Sequence, residues 1–188
     1  MPQCINTPCS HKRAAKQAGM TFIEVLIALV IMVTGIFGAV AMQATAKKGS
    51  FDAMQRSLAS SLAQDIVERM RGNSGDTLAS YAISSPYGTG KVGAPATCNA
   101  IGALCTPTQM VTHDLFGWEQ SLMGAGATKG TKNVGGLVGG IGCITVNGNA
   151  VRVVVTWQGK AEFTDANKAA CGTSSNTRRQ VVVDAFII

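Results

Sequence analysis

Residues 25–46 form a run of 22 positions without a single charge, rich in Val, Ile, Leu, Ala and Met. Wound as an α-helix, the run is about 33 Å long, enough to cross a bilayer core of about 30 Å. Everything else in the chain has to be placed relative to it. One carboxylate, Glu24, stands at its front edge, and Lys47 and Lys48 follow its far end. Ahead of it lies a leader, residues 1–19, that holds His11, Lys12, Arg13 and Lys16 and no acidic residue. Basic flanks stay on the cytoplasmic side, which favours an N-terminus-inside orientation, with Lys47 and Lys48 voting the other way.

The run alone is compatible with an uncleaved anchor or with a secretory signal cut after Ala44-Thr45-Ala46, a small-x-small site. The second fits less well, because a secretory core is usually 7–15 residues and does not begin with a carboxylate. A third reading rests on the stretch Gly19-Met20-Thr21-Phe22-Ile23-Glu24, which resembles the signal of type IV prepilins and pseudopilins. The resemblance implies cleavage between Gly19 and Met20 by a prepilin peptidase that also methylates the new N-terminus, here Met20. The family most often has Phe at that position, so Met20 is a departure. For Glu24 the residues allow a plain role, reaching the headgroups and complementing the N-terminal end of the helix dipole. The resemblance implies another: neutralising the free amine of a neighbouring subunit inside a filament, where low dielectric makes the pair strong and an unpaired charge costly.

Beyond Ala46 the pattern becomes amphipathic. Phe51, Met54, Leu58, Leu62, Ile66 and Met70 recur at steps of three and four, one face of a helix widened by Ala59 and Ala63, and Asp65 and Arg69 have ion-pair spacing. With no proline between Pro8 and Pro86, one helix is expected from about Thr21 to Arg71, stopped by Gly72-Asn73. Gly35 and Gly38 lie inside it; they are either ordinary membrane-helix glycines or sites of close approach or local melting. Many pilins carry a proline in this region; Ala41 and Met42 stand here instead.

Residues 72–106 read as loop, with turn signals at Pro86-Tyr87-Gly88 and Gly93-Ala94-Pro95. Thr106-Pro107-Thr108-Gln109 is a capping box with proline at the first helical position, opening a helix in which Val111, Leu115, Trp118 and Leu122 share a face and which Gly124 ends. His113, Asp114 and Glu119 on that helix are expected to form a solvated polar face rather than a catalytic site. Residues 124–142 contain eight glycines but neither G-x-G-x-x-G nor G-x-x-x-x-G-K, so nucleotide binding is not expected and a mobile loop is. Cys143-Ile144-Thr145-Val146 runs into Asn147-Gly148, a preferred hairpin turn, and Val151, Val153, Val155 and Trp157 of the return strand share one face. After a polar loop over 159–177, residues 179–187 form the last strand. An antiparallel sheet of at least three strands needs a cover for its apolar face, and the amphipathic part of the long helix is available.

Two cysteines, Cys4 and Cys9, lie in the leader. The other four, Cys98, Cys105, Cys143 and Cys171, lie beyond the membrane run, in an oxidising compartment if the orientation holds, and allow three pairings. The expected one is Cys98 with Cys105, a local loop, and Cys143 with Cys171, tying the first hairpin strand to the loop before the last. No C-x-x-C occurs and histidines are two, so no metal or other cofactor is expected. The net charge is +6, of which the leader supplies three; the remainder, thirteen basic against ten acidic residues, is +3 and calls for no nucleic-acid partner.

In the C-terminal half, Asp114-Leu115, Trp118, Leu122, the Cys143–Val146 and Val151–Trp157 strands and Arg179-Gln180-Val181-Val182-Val183 resemble minor pilins of the PilV type, the type IV pilus modification proteins. The implied fold is α+β: a leader over 1–19, a transmembrane and assembly half of a long helix over 20–46, its amphipathic half over 47–71, and a periplasmic head over 72–188. The implied function is not enzymatic. It is that of a minor pilin in the inner membrane that joins other minor pilins and the major pilin to start pilus assembly, at the tip, in support of twitching motility and adhesion. A minor pseudopilin of a type II secretion system has the same fold and is the alternative. A secreted binding domain released by the Ala46 cut, or a DNA-uptake pilin, would be a different class; the last needs stacking aromatics beside basic residues, and two Trp and two Tyr are few.

Overall fold

Helix α1, Phe22–Arg71, carries both the apolar run and the amphipathic stripe in one element. The computed structural model describes residues 19–95, 97–98, 104–162 and 171–188. The leader with Cys4, Cys9, His11, Lys12, Arg13 and Lys16 lies outside them, as do parts of the 72–106 and 159–177 loops. The chain divides into two units between Ala44 and Thr45.

The first unit is described by its helix. Residues 22–44 are helical through Gly35 and Gly38, and all their side chains are exposed. The Thr34 hydroxyl donates back to the carbonyls of Val30 (3.0 Å) and Ile31 (2.9 Å), so this polar group within the run is satisfied by its own helix.

The second unit is the head. Its α1 segment buries Gln55, Ala59, Leu62, Ala63, Ile66, Val67 and Met70. The stripe is therefore rotated from the expected one: Met54 is exposed, and the polar Gln55 takes the inward position. A 3-10 segment, Gly75–Tyr81, follows where loop was expected, and it buries Leu78 and Tyr81. Helix α2, Pro107–Met123, starts at the Thr106 capping box, closed reciprocally by Gln109. It stops at Gly124, whose φ of 69° favours glycine.

Two short strands, β1 (Thr128–Lys129) and β2 (Lys132–Asn133), pair within the glycine-rich stretch. Three longer ones, β3 (Ile141–Asn147), β4 (Ala150–Gln158) and β5 (Arg178–Phe186), form an antiparallel sheet in sequential order. Asn147 pairs with Ala150, so the hairpin turn is Gly148-Asn149, one residue later than expected. Gly148 has φ 58° and Asn149 does not have positive φ, which is the type II′ arrangement. Val151, Val153, Val155 and Trp157 are buried in one core with α1, α2, Tyr81 and Tyr87.

Trp118 is the centre of that core. Its indole N–H donates to the Leu62 carbonyl at 2.8 Å, and the Tyr87 ring meets its own edge-on at 5.3 Å. A Cβ on Gly142 would lie 2.4 Å from the Trp118 ring, so glycine at this position of β3 is what lets α2 lie against the sheet. The stretch 124–142 is not loose. Gln55 accepts from the Val138 amide (2.9 Å) and donates to the Gly136 carbonyl, Leu137 is buried, and Gly124 and Gly136 approach too closely to admit side chains.

Candidate functional site

Gly19, Met20 and Thr21 precede α1, and the Thr21 carbonyl accepts from the amides of Glu24 (3.0 Å) and Val25 (3.3 Å) to start it. Among the described residues, a Cβ on Gly19 would meet nothing within 4 Å. Packing against the described residues does not ask for glycine at this position. Met20 is 78% exposed. Glu24 sits in the first turn, where a negative charge complements the helix dipole, and it is exposed, with no ion pair or side-chain hydrogen bond among the described residues. Thus Gly19, Met20 and Glu24 share one short segment, and among the described residues none of their side chains packs into the core.

Behind them the exposed surface of residues 25–44 is apolar apart from Thr34 and Gln43, with Val30 60% and Phe37 71% exposed. By length and composition α1 can cross a membrane. Exposed apolar surface on this scale is far beyond what a solvated protein keeps uncovered.

The structure joins Cys98 to Cys105, Cα atoms 5.3 Å apart, and Cys143 to Cys171, 5.8 Å apart. The second bond closes the more informative loop. It holds Cys171, which is buried, over the outer face of the sheet, where Thr156 donates to its carbonyl (3.4 Å); with it, Val154 and Thr156 are buried on a face otherwise open to solvent.

Helix α2 departs most from expectation. Asp114 and Glu119 are buried rather than solvated. Asp114 accepts from the Tyr81 hydroxyl at 2.7 Å and lies 3.5 Å from the Arg69 guanidinium, which also donates to Asp65 at 2.9 Å. Partial burial lowers the Arg69 pKa, but the two carboxylates outweigh it and the net shift is upward. Burial raises the Tyr81 phenol, the Asn73 amide offsets part of this, and Asp114 adds to it. Glu119 gathers backbone donors: Oε1 accepts from the amides of Gly88 (3.0 Å), Thr89 (3.1 Å) and Gly90 (3.0 Å), and Oε2 from Val92 (2.8 Å). It fixes the 88–92 loop as an anion receptor built inside out, with the anion on the helix. Burial, and then the Glu119 charge, raise the Tyr87 phenol. These groups organise the core. Among the described residues, no cluster of His, Cys, Asp and Glu has metal-binding geometry.

Comparison with known families divides the chain in the same sense. A model of the prokaryotic N-terminal methylation motif matches residues 14–40. A type IV pilin family model, Tt1218-like, matches residues 41–116. The two matches abut, and they end within α2, so β3, β4 and β5 lie beyond both. No curated protein and no solved structure matches the chain.

Proposed function

The chain is a type IV pilin-like protein, and from that premise we propose that it acts as a minor pilin, a structural subunit that helps to start assembly of a type IV pilus at its tip. The carrying observation is the conjunction at the N-terminus. No described residue packs against Gly19, which agrees with recognition in trans by a peptidase that cuts before Met20 and methylates it. The apolar helix behind it has no cover of its own; lipid supplies one before assembly and other pilin helices supply one afterwards. The head then lies on the periplasmic side, where the Cys98–Cys105 and Cys143–Cys171 bonds persist. The resemblance of the C-terminal strands to PilV-type proteins favours the minor-pilin role, and with it twitching motility and adhesion.

In this reading Glu24 meets the methylated amine of an adjacent subunit. In a membrane monomer it stays near the headgroups at modest cost, whereas in a bundle it is surrounded by helices and needs a cation. Mass spectrometry of the mature protein is expected to show loss of residues 1–19 and gain of one methyl on Met20. Glu24→Gln keeps shape and removes charge. The variant is expected to be cut and oxidised normally, to reach wild-type levels in the membrane, and to fall at least tenfold in sheared pili. A mature N-terminus at Lys47 would overturn the reading, and recovery of this chain crosslinked to secretion pseudopilins rather than pilins would move it to the secretion machine.

A further inference from the structure

The turn between β3 and β4 holds the chain's one Asn-Gly pair, Asn147-Gly148. Asn147, Gly148 and Asn149 are all exposed. Among the described residues neither the Asn147 carboxamide nor the Gly148 amide makes a hydrogen bond. A Cβ on Gly148 would meet nothing within 4 Å, so the space on that side is open.

An asparagine carboxamide and the next backbone amide can react with each other. The Gly148 nitrogen attacks Cγ of Asn147 and a C–N bond forms. The bond from Cγ to the side-chain nitrogen breaks, and that nitrogen leaves as ammonia, taking the Gly148 amide proton. The product is a five-membered succinimide, which water opens at either of two carbonyls. Attack at Cγ gives aspartate in an ordinary backbone. Attack at the main-chain carbonyl gives isoaspartate, whose backbone runs through Cβ and Cγ and is one atom longer. Glycine favours ring closure because it brings no Cβ against the attacking nitrogen. Closure also requires Asn147 to leave the extended conformation. Asn147–Ala150 is the last pair of its ladder, so only that pair has to open.

The other described asparagines are placed differently. The Asn73 carboxamide is held at both ends: its oxygen accepts from the Ser74 amide (2.8 Å), and its nitrogen donates to the Pro107 carbonyl (3.0 Å) and the Tyr81 hydroxyl (3.1 Å). Asn133 precedes the β-branched Val134, whose amide is spent on the Ala127 carbonyl (2.8 Å). Asn176 precedes the β-branched Thr177, and Asn149 precedes Ala150, the first residue of β4.

We propose that Asn147 is a site of spontaneous deamidation, set apart from the other described asparagines by the fold as well as by its glycine. The consequence reaches β5, because the Asn149 carbonyl in the same turn accepts the Ile187 amide. An isoaspartate at position 147 puts one more atom into the backbone entering the turn, so the Asn147–Ala150 pair loses its register and the bond to Ile187 loosens with it. The proposal does not depend on filament assembly, so its failure leaves the pilin reading untouched.

The test uses the full mature chain in detergent micelles, aged in mildly alkaline buffer, then reduced and cut after lysine and arginine. Residues 133–152 come away as one peptide that holds Asn133, Asn147 and Asn149. The blocked tetrapeptide Val-Asn-Gly-Asn, aged beside it, sets the time scale. Fragmentation is expected to place a gain of one mass unit at Asn147 about tenfold more often than at Asn73, Asn133 or Asn149, and an isoaspartate methyltransferase to label the same peptide. Asn147→Gln, whose ring closure would need six members, is expected to leave that peptide unlabelled. Hydrogen exchange at the Ile187 amide is expected to be about tenfold faster in the isoaspartyl product. No gain at Asn147 by the time the tetrapeptide has converted would show that the hairpin holds the side chain out of reach, and overturns the proposal. Equal gain at Asn73 or Asn133 overturns the selection by the fold, and unchanged exchange at Ile187 overturns the link to β5.

Discussion

Residues 22–44 and residues 45–71 belong to one helix, yet different things keep them folded. In the first stretch every side chain is exposed and nearly all are apolar, so nothing among the described residues covers that surface. In the second, Ala59, Ala63, Ile66 and Met70 have no exposed surface at all, and Gln55, Asp65 and Arg69 beside them are paired with specific partners. The first stretch has interchangeable neighbours: any medium of low polarity will cover it, and a lipid tail and another helix do so about equally well. The second has particular neighbours, and changing one is felt by the rest of the core. A helix that must leave one environment for another needs the first property; a head that must keep its shape meanwhile needs the second.

That contrast can be tested by paired substitutions. Ile66→Ala is expected to cost the head about 4 kcal/mol, since it opens a cavity in a fully packed site. Ile31→Ala, the same chemical change in the exposed stretch, is expected to leave the head's denaturant midpoint where it was. A midpoint shift of comparable size in both would mean that the two stretches are not energetically separate.

The disulfides come next. Closing 28 residues, the Cys143–Cys171 bond is worth about 3.6 kcal/mol by loop entropy, and the Cys98–Cys105 bond, spanning 7, about 2.4 kcal/mol. Serine pairs at each position, compared by urea unfolding, are expected to rank in that order. Peptide mapping that linked Cys98 to Cys143 or Cys171 would reject the pairing.

Glu119→Gln is expected to cost about 2 kcal/mol, because an amide presents a donor where the loop amides need an acceptor. Hydrogen exchange at Gly88, Thr89, Gly90 and Val92 should speed up together, with no change along residues 22–44. A variant as stable as the parent would show that the loop is held by its own turns.

The smallest effect is with pH. Tyr81 and Tyr87 have phenols raised above the ordinary value of 10.0 in the folded head. A group whose folded pKa is raised leaves stability whole below its unfolded pKa and erodes it as pH rises through the folded one. The head's melting temperature is therefore expected to hold up to pH about 10 and fall above it. The helical signal of residues 25–44, which hold no ionisable side chain, should not follow. Tyr81→Phe should remove part of the alkaline loss.

What could be read from sequence is what repeats or what has fixed local chemistry. The apolar run, the capping box at Thr106, the stop at Gly124 and the faces of β4 all follow from periodicity or from one residue's backbone preference. What escaped is what depends on partners far along the chain. Glu119 looks like any exposed glutamate until the amides of residues 88–92, about thirty positions earlier, are brought to it. Gln55 replaced Met54 on the buried face because the Gly136 carbonyl and Val138 amide needed a partner there, which no helical pattern encodes. The eight glycines of 124–142 suggested looseness, but close approach also demands glycine, and at Gly124 and Gly136 close approach is the reason. At the N-terminus the legible part was the processing motif, and the structure adds that no described residue packs against Gly19.

The order of strands also sets a schedule. The hairpin of β3 and β4 can close as soon as both are made, but β4 finds its second neighbour only in β5, which ends two residues before the last residue, Ile188. Ile187, just past β5, is buried, and its amide donates to the Asn149 carbonyl at 2.9 Å. The sheet is therefore completed only once residues 178–187 are in place. A chain shortened by even two residues leaves the central strand's last partner unanchored, whereas Ile188 is fully exposed and can carry an added tag. Completion of the sheet is thus tied to one late segment: a copy cut before Ile187 lacks the bond to Asn149 that closes the far end of β5.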